Sequence, residues 1–327
     1  MMRVAIFSTQ SYDKQFFNLV NASFDHELTF LEPALSAKTA ILAEGCEAVC
    51  VFVNDLVDAE TLKVLHQQGI HTLVLRCAGF NQVDLQVAAN LGINVFRVPS
   101  YSPEAVAEHA VAMIMTLNRK THKAYNRVRE GNFSLERLIG FNLSGKKVGL
   151  IGLGQIGIAF ARIMRGFGTE VLAYDPVVSD VPAGIRLVDY DTLISTADVI
   201  SIHCPLNEHT RHMINQQVFE KMKDGVMLIN TSRGAILDSS DAIEALKQGK
   251  LGYLGIDVYE QEDKLFFRDL SESLIADEQI LRLMSFPNVL ITAHQGFFTT
   301  EALTEIAHTT LQNLSDAQNG TANQNKL

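Results

Sequence analysis

The chain has few cysteines, and this scarcity excludes a disulfide-stapled scaffold. It carries four cysteines in 327 residues and no Cys-x-x-Cys pair, too few for a secreted framework of this length. Cys46 and Cys50 have a loose metal-like spacing, but no nearby histidine or second cysteine pair completes a tetrahedral site. We therefore expect reduced, buried thiols and no bound metal.

Long apolar runs are also absent. The longest uncharged apolar stretch, residues 148–161, is interrupted by Gln155 and is shorter than the roughly 20 residues that span a bilayer. At the start of the chain, Thr9, Gln10 and Asp13 interrupt the apolar run before it reaches signal-peptide length. These features predict a cytoplasmic protein with no membrane partner.

Positive charge is in deficit and is not clustered. Lys and Arg number 27 against 37 Asp and Glu, so the net charge is −10, and no basic run is long enough to form a phosphate-binding stripe. Nucleic acid is therefore not an expected partner. A small anionic substrate is not excluded, because net charge says little about a single concave site. At about 150 residues per domain, the length indicates two domains.

Short β-branched runs alternate with helical patterns along the whole chain, which is typical of parallel βαβ units. The first series of predicted strands covers residues 3–7, 48–53, 72–75 and 94–98. The second series covers residues 147–151, 170–174, 199–203, 226–230, 253–257 and 289–292. The two series predict two parallel sheets.

The region between the two series predicts one long helix over residues 102–130. Ser102 can cap it, Pro103 suits its first turn and Gly131 can end it. Shorter helices are predicted at residues 240–248 and 301–314. In the latter, Leu303, Ile306, Leu311 and Leu314 are expected to point inward. We expect the polar tail from Asn319 to fray.

A glycine turn follows the first strand of the second series. Gly152, Gly154 and Gly157 form a G-x-G-x-x-G motif between a predicted strand and a predicted helix. The first glycine permits a tight turn, the second lets a pyrophosphate contact the backbone, and the third lets the helix pack on the strand. The helix N-terminus then offers N–H groups and positive potential to the phosphates. This pattern predicts a dinucleotide site.

An acidic residue lies where such a site needs one. Asp175 ends the next predicted strand, 18 residues beyond Gly157. A carboxylate at this position accepts hydrogen bonds from the adenosine ribose hydroxyls and repels a 2′-phosphate. The sequence therefore favours NAD over NADP.

Three later strands are each followed by a polar group that suits acid–base chemistry. Arg233, Glu262 and His294 follow separate strands, at the edge where an open parallel sheet binds its ligand. An arginine can hold a carboxylate with two hydrogen bonds, and a histidine that faces a carboxylate can donate a proton near neutral pH. Hydride transfer to a carbonyl needs such a proton. Eight other histidines, His109 among them, are interpreted as ordinary surface or core residues.

The sequence resembles the D-isomer-specific 2-hydroxyacid dehydrogenases, and within them the NAD-dependent D-lactate dehydrogenase branch. The resemblance runs over nearly the whole length and rests on several motifs in family order. It departs from the general pattern at Ala293, where many members have proline, and in the long acidic segment between Glu262 and His294. The matching motifs are residues 152–157 with Asp175, residues 203–206, residues 230–234, residues 257–260 and His294.

The resemblance implies a fold of two doubly wound parallel-sheet domains. Residues 1–100 with 299–327 would form a flavodoxin-like substrate domain, and residues 101–298 a Rossmann NAD-binding domain. The ligands would bind in an interdomain cleft, and the chain would assemble as a homodimer or homotetramer.

The resemblance also implies roles for individual residues. Arg233 would bind the substrate carboxylate and keto oxygen, and Glu262 would hold His294, the proton donor. Asp257 would be a second carboxylate near the nicotinamide. The residues implied to contact NAD are Gly152, Gly154, Gln155, Ile156, Gly157, Asp175, Cys204, Pro205, Thr210, Thr231, Ser232, Arg233 and Asp257.

The implied substrate is a small 2-keto or 2-hydroxy acid. Its carboxylate would receive backbone N–H groups from the turn at Ala78 and Gly79, while Tyr101 and Phe297 would shape the pocket beside Arg233 and His294. The implied reaction is the reversible reduction of pyruvate to D-lactate by NADH. Two alternatives stay open: an enzyme for a bulkier 2-keto acid, such as phenylpyruvate or 2-ketoisocaproate, and a non-catalytic NAD-sensing protein.

Overall fold

A computed structural model describes residues 1–327, apart from the side chain of Lys264. The chain forms two compact units, one made of Met1–Ser102 with Phe298–Leu327 and the other of Pro103–Phe297. Each unit contains one parallel sheet, which confirms the predicted α/β class with two parallel sheets. Every predicted strand is present, with its ends within two residues of the expected ones. Among the described residues, no helix is both long enough and apolar enough to cross a membrane.

The first unit is built on a five-stranded sheet in the order β2-β1-β3-β4-β5, which is the flavodoxin-like order. All side chains of β3 and β4 are buried, as expected for central strands covered on both faces. The strands are β1 (Arg3–Ile6), β2 (Glu27–Phe30), β3 (Ala48–Val51), β4 (Thr72–Leu75) and β5 (Asn94–Phe96). Helices α1 (Ser11–Asn21), α2 (Ala59–Gln67) and α3 (Leu85–Asn90) connect them.

The second unit is built on a seven-stranded sheet in the order β12-β11-β10-β9-β6-β7-β8. Its first six strands in chain order follow the Rossmann arrangement. The strands are β6 (Lys147–Ile151), β7 (Glu170–Tyr174), β8 (Ile185–Leu187), β9 (Val199–Ile202), β10 (Val226–Asn230), β11 (Leu251–Ile256) and β12 (Val289–Ile291). The helices are α4 (Pro103–Arg119), α5 (Thr121–Arg129), α6 (Gln155–Gly166), α7 (Tyr190–Thr196), α8 (Gln216–Lys221), α9 (Ser239–Lys247) and α10 (Glu278–Ser285).

The single helix predicted over residues 102–130 is wrong, because the chain breaks at Lys120. This residue has a φ of 50°, a left-handed conformation that costs roughly 1–2 kcal/mol for a residue other than glycine. The buried face of α4 ends at Leu117 and Asn118, whereas α5 buries no residue. Asn118 exchanges two hydrogen bonds of 2.8 Å with the backbone of Phe141. The segment around Phe141 is therefore bound to the end of the buried face of α4.

The last helix, α11 (Thr300–Asn319), belongs to the first unit. Leu303, Ile306, Leu311 and Leu314 are buried as predicted. The expected fraying of the tail is wrong: the Leu327 N–H donates to the Val95 carbonyl at 2.9 Å. Phe96 of β5 also forms an antiparallel bridge with Lys326. Residues 321–327, called the tail below, therefore cover the outer edge of β5.

Candidate active site

The glycine turn joins β6 to α6 and leaves room for a ligand at one position. Gly152 has a φ of 98°, and a Cβ there would lie 2.7 Å from the backbone of His203. A Cβ on Gly157 would lie 2.2 Å from the Gly152 carbonyl oxygen, whereas nothing lies within 4 Å of one on Gly154. Gly154 is the N-cap residue of α6 and has no side chain to cap it. This end of the helix is therefore suited to bind a phosphate.

Asp175 lies directly beside this turn. One carboxylate oxygen accepts from the Leu153 N–H at 2.8 Å, and the other accepts from the N–H groups of Val177 and Val178 at 2.9 and 3.1 Å. Burial disfavours the charged form, but these three hydrogen bonds hold the pKa of Asp175 below its usual value. A carboxylate is thus fixed at the end of β7, where a ribose is bound in this type of fold.

The segment after β9 forms another wall of the turn. The His203 N–H donates to the Ile151 carbonyl at 2.7 Å, and burial lowers the pKa of His203 to about 3, so its imidazole is neutral. Burial raises the pKa of Cys204 to about 11, so it stays a thiol. The Thr210 hydroxyl donates to the Pro205 carbonyl at 2.7 Å and closes the following loop.

Three loops that carry predicted site residues leave the same edge of the second sheet. Asn230 at the end of β10 pairs with Ile256 of β11, which pairs with Ile291 of β12. The loops that follow carry residues 231–234, 257–262 and 292–297. The sheet therefore brings together loops that lie far apart in the sequence.

The loop after β10 is fixed mainly by Asn230. Its side-chain amide donates to the Arg233 carbonyl at 2.9 Å, and its oxygen accepts from the Ser232 N–H at 3.1 Å. Ser232 in turn donates through its hydroxyl to the Ile202 carbonyl at 2.7 Å. Among the described residues, the buried Thr231 hydroxyl oxygen has no hydrogen-bond partner, so it can serve a ligand. Asn230 itself was not predicted as a site residue.

Gly234 allows the loop that carries Arg233 to pack against the loop that carries Glu262. A Cβ on Gly234 would lie 2.1 Å from the backbone of Tyr259, so no larger residue fits without moving one of the loops. The backbone after Arg233 therefore contacts the loop after β11 directly.

His294 and Glu262 form a direct pair. The His294 Nδ1 lies 2.8 Å from the Glu262 Oε1, and the two side chains are 18% and 12% exposed. The other carboxylate oxygen of Glu262 accepts from the Tyr259 N–H at 3.0 Å. Because the carboxylate occupies Nδ1, Nε2 is the ring nitrogen that can face a ligand.

Asp257 holds the backbone of the histidine loop. Its carboxylate accepts from the N–H groups of Gln295 and Gly296 at 2.7 and 2.8 Å and from the Thr292 hydroxyl at 2.5 Å. Its own carbonyl accepts from the His294 N–H at 2.7 Å. These bonds hold His294 at a φ of 53°, a region that non-glycine residues seldom adopt. The predicted NAD contact of Asp257 stays a prediction.

His109 of α4 completes this cluster, and the sequence interpretation missed it. Its Nε2 lies 3.3 Å from the Asp257 Oδ1 and 3.0 Å from the Thr292 hydroxyl. Burial disfavours the charged form of Asp257, but hydrogen bonds led by His109 and Thr292 keep its pKa below the usual value. The only signal in the sequence was a polar ring on an otherwise apolar helix face.

The predicted substrate residues fall in both units. Phe297 belongs to the second unit, is 7% exposed, and has its ring centre 6.4 Å from that of His294. Ala78, Gly79 and Tyr101 belong to the first unit. Ala78 and Gly79 form a half-buried turn that begins three residues after the end of β4, and Tyr101 lies two residues before α4.

These features are typical of the dinucleotide-binding part of an oxidoreductase. The profile of the family described as D-isomer specific 2-hydroxyacid dehydrogenase, NAD binding domain, matches residues 111–296. The chain belongs to this family, and its second unit binds NAD(H).

Full-length relatives agree with this assignment. The chain is 53% identical over 328 residues to a D-lactate dehydrogenase of Escherichia coli strain K12, covering 100% of both chains. Among solved structures, it resembles the pyruvate reductase of Chlamydomonas reinhardtii with a TM-score of 0.94 and 44% identity over 99% of this chain and 98% of that chain. It also resembles a D-lactate dehydrogenase from Lactobacillus jensenii, solved with NAD+, with a TM-score of 0.84 and 31% identity over 100% and 99% of the two chains.

Substitutions in the glycine turn can separate an effect on NADH binding from an effect on folding. Gly154 has a φ of −70° and a ψ of −172°, so Gly154→Ala should change the free energy of unfolding by less than about 1 kcal/mol. Its methyl group would enter the space at the α6 N-terminus and weaken NADH binding roughly tenfold. Gly157→Ala should instead lower the free energy of unfolding by about 1–3 kcal/mol, because its methyl overlaps the Gly152 carbonyl.

Urea unfolding and NADH fluorescence titration measure these two effects. Gly166→Ala is the matched control, because a Cβ there meets nothing within 4 Å and lies at the other end of α6. Unchanged NADH affinity in Gly154→Ala would contradict a phosphate site at this turn.

Proposed function

We propose that this protein is a D-lactate dehydrogenase that reduces pyruvate to D-lactate with NADH and also catalyses the reverse reaction. The observation that carries the proposal is the 2.8 Å pair of His294 and Glu262, on the sheet edge that also bears Arg233. The relative from Escherichia coli is named for the same activity. We also propose that the protein acts in the cytoplasm, in agreement with its four free cysteines.

Arg233 and the turn at Ala78 and Gly79 are proposed to bind the substrate. The planar guanidinium of Arg233 can donate two parallel hydrogen bonds, which fits a carboxylate beside a keto oxygen. Backbone N–H groups of the turn are proposed as donors to a carboxylate. Phe297 buries a large ring beside His294, which favours a small substrate such as pyruvate over a bulkier 2-keto acid.

His294 is proposed to supply the proton of the reaction. Bound NADH supplies the hydride that attacks C2 of the keto acid. As the carbonyl electron pair moves onto the oxygen, Nε2 of His294 donates a proton to it. Glu262 keeps the ring oriented through its hydrogen bond to Nδ1. In the reverse direction, His294 accepts the hydroxyl proton.

An assay with several substrates tests this function. The loss of NADH absorbance is measured with pyruvate, phenylpyruvate and 2-ketoisocaproate, and the reverse reaction with D-lactate and L-lactate. We expect the highest kcat/KM for pyruvate and oxidation of D-lactate alone. No NADH oxidation with any of the three keto acids would reject the proposal, and faster reduction of phenylpyruvate would assign the bulkier substrate instead.

The preference for NAD over NADP is proposed to depend on Asp175. Asp175→Ser removes the fixed negative charge that would repel a 2′-phosphate. We expect kcat/KM with NADPH to rise about tenfold and kcat/KM with NADH to fall about tenfold. Asp180→Ser is the matched control, since Asp180 is an exposed acid in the same loop. If both variants keep the wild-type ratio of NADH to NADPH activity, Asp175 does not determine the preference.

A homodimer or homotetramer is part of the proposal. Helix α5 and the segment after it expose large apolar side chains, and a second copy of the chain would cover them. Static light scattering of the purified protein measures the mass, and a monomeric mass would reject the assembly. The exposed side chains are Tyr125, Val128, Phe133, Leu135 and Ile139.

A further inference from the structure

Arg97 lies just beyond β5 and contacts the turn formed by Cys77, Ala78 and Gly79. Its Nη1 donates to the Ala78 carbonyl at 3.1 Å, and its guanidinium carbon lies 5.2 Å from the centre of the Phe80 ring. The arginine is half-buried. A guanidinium held by a ring face and a carbonyl has little freedom to leave the turn.

This hydrogen bond determines which way the turn presents its N–H groups. In a planar trans peptide the carbonyl and the N–H point in opposite directions. Because Arg97 binds the Ala78 carbonyl, the Gly79 N–H of the same peptide points away from Arg97. The Cys77 thiol donates to the Gly79 carbonyl at 3.3 Å, which orients the next peptide as well. Both carbonyls are thus engaged within the unit.

The backbone of Arg97 is itself held from two sides. Its N–H donates to the Asn325 carbonyl at 3.0 Å, and its carbonyl accepts from the Asn313 side chain at 3.0 Å. Asn313 is fully buried in α11, and its oxygen accepts from the side chains of Asn323 and Asn325 at 2.9 Å each. Helix α11 and the tail therefore fix the residue that orients the turn.

We propose that Arg97 is a positioning residue for substrate binding. It turns the peptide between Ala78 and Gly79 so that an N–H, and not a carbonyl oxygen, faces the carboxylate of the keto acid. This inference rests on the proposed function, in which the turn binds that carboxylate. Without Arg97 the peptide can rotate, and a carbonyl oxygen would then repel the anion. Arg97 acts through the turn and does not touch the reacting atoms.

Steady-state kinetics of two variants test this role. Arg97→Met keeps the length of the side chain but removes its donors, and we expect KM for pyruvate to rise about tenfold with kcat within about twofold of wild type. Arg97→Lys keeps a donor on a flexible side chain, so we expect KM for pyruvate to rise only about threefold. The NADH dissociation constant should not change. Arg3→Met is the matched control, because Arg3 is an exposed arginine of the same unit.

Binding of oxamate, a carboxylate analogue of pyruvate that is not reduced, separates failure of this inference from failure of the proposed function. If the wild type reduces pyruvate and Arg97→Met keeps the wild-type KM, Arg97 has no positioning role and the function stands. If the wild type reduces no keto acid, the function fails, and oxamate affinity with bound NADH still tests Arg97. Equal oxamate affinity in wild type and Arg97→Met, or no oxamate binding, would overturn the inference. Weaker binding in both Arg97 variants, with Arg3→Met unchanged, supports it.

Discussion

Replacing His294 by asparagine is expected to lower kcat for pyruvate reduction about 10³-fold, within the range for loss of a general acid. An asparagine amide cannot give its proton to the developing alkoxide. Asparagine is the substitution of choice, because it tolerates the left-handed backbone of this position better than most residues. NADH fluorescence should show cofactor binding within about twofold of wild type, since the glycine turn is untouched.

The control for His294→Asn is the same change at His71, an exposed histidine of the first unit. His71→Asn should keep wild-type kcat in the NADH absorbance assay. A His294→Asn protein that binds NADH and keeps kcat within about threefold of wild type would remove His294 from the mechanism. A wild type that binds NADH but reduces no keto acid would instead favour the NAD-sensing alternative.

Replacing Arg233 by glutamine is expected to reduce kcat/KM for pyruvate about 10³-fold. The change removes a charged group that is proposed to hold both the carboxylate and the keto oxygen, so binding and transition-state stabilisation should both fall. KM for pyruvate should rise and kcat should fall. Arg233→Lys restores the charge but not the two-pronged geometry, so we expect it to recover only a small part of the loss.

Arg186→Gln is the matched control for Arg233→Gln. Arg186 is an exposed arginine of the same unit, paired with Glu170 at 3.3 Å, and a surface pair of this kind contributes little to stability. Its variant should keep wild-type kinetics and the wild-type unfolding midpoint in urea. Unchanged KM and kcat in a folded Arg233→Gln protein would show that the substrate carboxylate binds elsewhere.

The central strands and the order of the site residues could be predicted because buried parallel strands are continuous apolar runs. Val226–Asn230 is buried at every position, and polar residues follow it at once. Two of the edge strands, β2 and β8, gave no such signal. Glu27–Phe30 alternates exposed and half-buried side chains, and Ile185–Leu187 has none that is fully buried. Their strand conformation depends on pairing with a neighbour, which a local pattern does not contain.

The supporting residues of the site could not be predicted, because their partners are distant in sequence. His109 contacts Thr292, which is 183 positions away, and Asn313 contacts the carbonyl of Arg97, which is 216 positions away. Lys120 adopts a left-handed backbone at a position where lysine has no intrinsic preference for one. Hydrogen-bond networks of this kind are determined by the folded arrangement of elements and not by local residue preferences.

The tail that closes the outer edge of β5 also bears on the colloidal behaviour of the protein. An open edge strand presents unpaired N–H and carbonyl groups that can recruit a strand from another molecule. Here Lys326 bridges to Phe96, and Leu327 bonds to Val95, so these groups are already occupied within the unit. The opposite edge, β2, is only four residues long and begins with the exposed Glu27, and a short, charged strand is a poor template. Both edges of the five-stranded sheet are thereby protected against aggregation by strand pairing between molecules.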